Sequence, residues 1–177
     1  LKSVKKKYMI HPDVEAIVPY YNDEGCLCSE VREVSSVKYV YESPKKLLIR
    51  VCAFYGGDYN GNRQAAKLIL KAKQMLPLSI SLIHNMMFIP MQSPKSPNCI
   101  WVNLAHIFFV KKGINKDSII LFKSGHELEV NLLADSVEKK RDRAAYLQNE
   151  LFVRHVQTLK DGNYPSFAAL LLCILQD

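Results

Sequence analysis

The sequence predicts an α+β fold: mostly antiparallel β-structure, two short central helices and a C-terminal helical segment. Three observations carry this expectation. Residues 14–42 and 78–133 break into short β-branched and aromatic runs separated by turn residues. Residues 43–76 change to helical spacing, with capping residues at the near end and good helix formers throughout the second half. Residues 135–159 form a long run, heavily charged at first and ended by DGNYP.

The elements follow in order. VEAIVPYY and LCSEVREV read as strands around the turn NDEG, and VKYVYE follows after Ser35 and Ser36. Ser43 suits an N-cap, Pro44 the first helical position, and Gly56 the far end. Between them Leu47, Leu48, Val51, Phe54 and Tyr55 recur at helical spacing, which predicts a helix over 44–55. The loop GGDYNG leads into a second helix, NRQAAKLILKAKQM, which Pro77 stops. Arg63, Lys67 and Lys71 share one stripe of it, and Ala65, Leu68, Ile69, Ala72 and Met75 take the other side. A strand over 66–72 is the alternative.

From Leu78 the pattern returns to strands. SISLI and MMFIPM are separated by HN, and QSPKSPN is a breaker. CIWVNLAHIFFVK is followed by the hairpin SIILFKSGHELEVNLL, where Gly125 supplies the positive φ of a tight turn. Asp135 is expected to cap the long helix through residue 159, and FAALLLCIL to finish the chain as a short apolar helix. Residues 1–159 thus read as a single α+β domain, with a subdivision near 77 as the alternative and 160–177 as an apolar helix or tail.

Charge is distributed unevenly. Between Asp58 and Asp117 stand Arg63, Lys67, Lys71, Lys73, Lys95, Lys111, Lys112 and Lys116, eight cations and no acid. The formal +7 less these eight leaves −1 for the rest of the chain. Such a block in a balanced protein points to a polyanion partner. The five cysteines include no C-x-x-C pair and the histidines lack ligand spacing, so neither a metal nor a disulfide framework is expected. The N-terminal LKSVKKKYMIHP is basic but no apolar region follows it, and the longest apolar run has nine residues, too few for a bilayer span. A cytoplasmic location without membrane contact is the expectation.

The glycine-rich stretch FYGGDYNGNRQAAK poses the sharpest chemical question. A P-loop needs a Lys-Ser/Thr pair where this chain has Asn62-Arg63, and a dinucleotide fingerprint needs an acid about twenty residues on. No nucleotide cofactor is expected, and no hydrolase or metalloprotease motif appears. The chain is read as a non-enzyme. The remaining chemistry is phosphate binding by the backbone at Gly56, Gly57 and Gly61, with Asn62, Arg63, Lys67, Lys71 and Lys73 following a nucleic-acid backbone and Lys111 and Lys112 adding to the basic block. The bland alternative is a turn between two helices with solvated lysines.

SPKKLLIRVCAFYGGDYNGNRQAAK resembles the central signature of competence transcription factors of the ComK type. GCLCSEVREV is similar to that family's early strand. LPLSISLIHNMMFIPMQSPKSPNCIWVNLAHI is similar to its proline-led strands and its Pro-x-Cys-x-Trp element, and SIILFKSGHELEVNLL to its next hairpin. The resemblance covers roughly residues 14–150; the tail after Phe152 diverges, and Asn62 is inserted at the Gly-Arg junction. It implies a cytoplasmic DNA-binding activator of DNA-uptake genes in Gram-positive bacteria. Such a protein binds paired AT-rich boxes in double-stranded DNA as a homo-oligomer, without a helix-turn-helix, and meets an adaptor of a Clp protease. A second similarity, of residues 100–145 to LytTR-type DNA-binding domains, implies that Asn103, His106, Asn131 and Lys139 lie on loops near DNA. The alternative function is a degenerate paralogue or protein-interaction module that regulates an active relative or a protease adaptor.

Overall fold

The computed structural model describes residues 4–5 and 8–161. It is an α+β structure with two sheets. The larger contains β1 (Val4–Lys5), β2 (Val14–Tyr21), β3 (Leu27–Glu33), β4 (Val37–Val40), β5 (Leu78–Ser81), β6 (Met86–Pro90) and β7 (Trp101–Asn103), in the order β1-β4-β3-β2-β7-β6-β5. The smaller contains β8 (Ile107–Lys112), β9 (Ser118–Phe122) and β10 (Glu127–Val130), in the order β10-β9-β8. Neighbours are antiparallel except β1 and β4. The helices are α1 (Pro44–Phe54), α2 (Tyr59–Leu70) and α3 (Ala134–Asp161). The apolar run expected to end the chain lies outside the described residues. Strands from both sides of residue 77 share the larger sheet, because Ala16 and Ile17 of β2 pair with Val102 and Trp101 of β7.

Alternation along the central strands divides the core in two. Ile17, Phe88 and Trp101 point to one face, where they meet Leu47, Leu48 and Val51 of α1. Ala16, Met87, Ile89 and Val102 point to the other, against Ile120, Phe122 and Leu128 of the small sheet and Val137, Ala144 and Leu147 of α3. With both faces covered, β6 is buried at every position, which explains its uninterrupted apolar sequence. α2 lies beside the outer strand β5, where Asn62 Nδ2 donates to the Ser79 carbonyl at 2.8 Å and covers part of an otherwise open edge.

CIWVNLAHIFFVK does not run on as one strand. Asn103 is fully buried; its Nδ2 donates to the Val14 carbonyl at 2.9 Å and its Oδ1 accepts from the Ala105 N–H at 3.3 Å. That side chain caps a short 3-10 turn over Leu104–His106, and the chain leaves one sheet for the other. The hairpin between β9 and β10 forms as expected, with Gly125 at φ +93. α3 begins at Ala134, so Asp135 sits inside the first turn, where its charge suits the helix dipole, and is not the cap.

The segment before β2 is held by polar contacts around Glu33. Tyr8 Oη donates to the Glu33 carboxylate at 2.5 Å, His11 Nε2 donates at 3.1 Å, and Ser36 Oγ donates to its second oxygen. Burial would raise this carboxyl, but the hydrogen bonds from Ser36, Tyr8 and His11 outweigh it and hold Glu33 below the usual range. The stability Glu33 contributes is therefore complete above its unfolded pKa, about 4.3, and is lost as pH falls through its lower folded value. The urea midpoint of the wild type should exceed that of Glu33→Gln at neutral pH, with the gap closing on acidification below that range.

Candidate nucleic-acid interface

The glycine stretch is occupied by its own structure. Tyr55 ends α1 and Gly56 takes the left-handed conformation at φ +77. The Gly56 N–H donates to the Ala53 carbonyl at 3.1 Å and the Gly57 N–H to the Cys52 carbonyl at 2.8 Å, the paired bonds that close a helix on a left-handed glycine. Gly61 lies in the first turn of α2, and its N–H donates to Asp58 Oδ2 at 2.6 Å. These bonds involve the three glycines expected to form a backbone phosphate loop, Gly56, Gly57 and Gly61. All three N–H groups are engaged, and a carboxylate stands at the helix N-terminus in the place of the expected anion.

The cationic stripe is also altered. α2 starts at Tyr59, three residues earlier than expected, and stops at Leu70, because Lys71 adopts the left-handed conformation at φ 48 and the chain turns to bury Leu76, Pro77 and Leu78. Lys67 alone of the stripe is an exposed cation on the helix itself; Lys71 and Lys73 are exposed just past its end. Arg63 is half-buried, with its guanidinium carbon 5.7 Å from the Tyr59 ring centroid. Its Nε is buried without a partner among the described residues. The arginine thus packs over an aromatic face rather than standing free.

The other predicted residues separate into internal and exposed groups. Asn103 holds the Val14 carbonyl inside the fold, and the half-buried Asn62 holds the Ser79 carbonyl. His106 Nε2 donates to the Pro12 carbonyl at 2.6 Å. Lys111 is exposed but lies 2.7 Å from Glu127. Lys112, Asn131 and Lys139 are exposed. Among the described residues, none of Lys67, Lys71, Lys73, Lys112, Lys116 or Lys139 has a carboxylate within 4.0 Å.

The cations lie at several places in the fold. Lys71 shares a groove with Asp142, Arg143 and Tyr146 of α3, Lys112 ends β8 of the small sheet, and Lys116 lies in the turn between β8 and β9. Lys95 instead lines a groove with Ser43 and Lys45 at the start of α1. Not every residue of the charged run EKKRDR faces out. Lys140 is largely buried and donates to the Pro90 carbonyl at 3.1 Å, and burial lowers its ammonium to about 8. Lys123, whose Nζ donates to the Ala105 carbonyl at 2.6 Å, and the exposed Phe108, Phe109 and Ile114 were not singled out from sequence. Adjacent phenylalanines in a strand were the available signal, since the two cannot both face one core without a bulge.

Two mostly antiparallel sheets backed by helices, with exposed lysines that lack carboxylate partners and no group of three metal-ligating side chains among the described residues, define an α+β protein. No helix among the described residues is long and apolar enough to cross a membrane. The sequence matches the family model described as "ComK protein" over residues 5–155, and the chain belongs to that family. It is similar to the competence transcription factor of Bacillus subtilis (strain 168), at 25% identity over 145 residues, covering 82% of this chain and 75% of that protein. No solved structure matches.

Proposed function

We propose that this chain is a cytoplasmic, DNA-binding transcription activator of competence genes that binds AT-rich promoter boxes in double-stranded DNA. The observation that carries the reading is the interval from Asp58 to Asp117, with eight cations and no acid, from which Lys67, Lys71, Lys73, Lys112 and Lys116 emerge exposed and without carboxylate partners among the described residues. Family membership and the name of the relative support it. Each free lysine can neutralise a phosphate and release a counterion. Preference for A·T comes from lysine or arginine reading a narrow groove and its acceptors. Lys111, Asn131 and Lys139 extend the surface, and Arg63 supports it from below. In this reading the chain is not an enzyme. A homo-oligomer and a protease-adaptor contact belong to the same reading, on the family resemblance alone.

A salt titration tests it. Wild type should bind an AT-rich duplex with steep dependence on salt. Replacing Lys67, Lys71 and Lys73 by alanine should make the log–log slope shallower by roughly one unit for each phosphate no longer neutralised. Absence of wild-type binding at low salt would sink the reading.

A further inference from the structure

The ribbon of β8 and β9 ends in a turn over residues 113–117, and Asp117 sets its shape. The Asp117 carbonyl accepts from the Gly113 N–H at 3.1 Å, and Asp117 Oδ1 accepts from the Asn115 N–H at 3.1 Å. The carboxylate lies so close over Gly113 that a Cβ there would stand 2.1 Å from Oδ1. The turn's one acid is thus folded onto its own backbone, while Ile114 stands 99% exposed. Lys112 and Lys116 flank it, and Lys111 follows one position behind. At the far end of β8, beyond Lys111 and Lys112, Phe108 and Phe109 are also exposed beside a bulge between Ile107 and Phe109.

β8 is an outer strand, so another strand could in principle add to it. The lysines argue against a second copy: cations on an edge discourage pairing, and a copy related by a two-fold axis would bring like charges together. Duplex DNA complements both features at once. A two-stranded ribbon fits a groove, lysines meet the phosphates on its walls, and an apolar tip can enter a base step.

We propose that the β8–β9 ribbon is a DNA-contacting arm with Ile114 as its apolar wedge; this rests on the DNA-binding reading above. The test uses an AT-rich duplex with donor and acceptor dyes at its ends, titrated with wild type, Ile114→Ala, Ile114→Leu and the double variant Lys112→Ala/Lys116→Ala. Each free protein is also sedimented. Ile114→Ala should weaken binding by about tenfold or more, the factor that burying such a side chain supplies. It should leave the salt slope unchanged and reduce the dye response to binding. Ile114→Leu should restore both. The lysine variant should lower the slope by roughly two units. Wild-type affinity and dye response in Ile114→Ala would overturn the wedge and leave the DNA-binding reading intact. No wild-type binding to any duplex would remove both. Changed sedimentation with unchanged DNA affinity would assign the tip to a second copy and overturn the proposal.

Discussion

Replacing Trp101 with alanine is expected to destabilise the protein by about 4 kcal/mol, in the range for emptying a large aromatic site in a packed core. Trp101 is 1% exposed and sits on β7, between β2 and β6, facing the core that α1 closes. A cavity there deprives three strands and a helix of their shared packing, and backbone pairing on both sides of β7 limits how far the site can collapse. Typical total stability is only about 5–15 kcal/mol, so the effect is a large share of it. Trp101→Phe, which keeps a ring in place, should cost far less. Trp101 is the only tryptophan, so its emission reports the same site. Wild type should emit at short wavelength and shift to the red in urea as the buried ring meets water. A Trp101→Ala variant with an unchanged urea midpoint would refute this account of the core.

The second large effect concerns Glu15, which is fully buried on β2. His126, in the turn between β9 and β10, donates from Nδ1 to Glu15 Oε2 at 2.9 Å, while Oε1 has no partner among the described residues. The pair joins the two sheets. His126→Ala removes the hydrogen-bond partner of the buried Glu15 side chain; because the imidazole itself is exposed and water screens the contact, the expected cost is about 1–3 kcal/mol. Adding Glu15→Gln to His126→Ala should recover much of that stability, because an unpaired amide is cheaper to bury than an unpaired charge. Additive effects in the double variant would show that the two side chains do not interact.

Much of the fold was legible because its signals are local. Ser43 and Pro44 start α1 where capping chemistry places them, and Gly125 forms the hairpin turn that its freedom of φ allows. The second helix was legible as a helix but not in its limits. Asp58 looks in sequence like part of a glycine loop, yet its carboxylate caps α2, and the helix yields at Lys71 because burial of Leu76–Leu78 redirects the chain. The break within CIWVNLAHIFFVK was not legible at all, since Asn103 turns the chain only with the Val14 carbonyl as its partner, 89 positions earlier.

The candidate surface divides in the same way. Acid-free charge between Asp58 and Asp117 is a property of the sequence by itself, as are the element types and the absence of a P-loop pair, because all depend on residue identity and close spacing. Which cations stand free was decided only by the tertiary structure. Lys111 meets Glu127 across the small sheet, Arg63 packs on Tyr59, and Lys140 turns inward beneath Pro90, while Lys67, Lys112 and Lys116 have no carboxylate partner among the described residues. Solvent exposure and pairing depend on partners brought close by folding, and no local pattern specifies them.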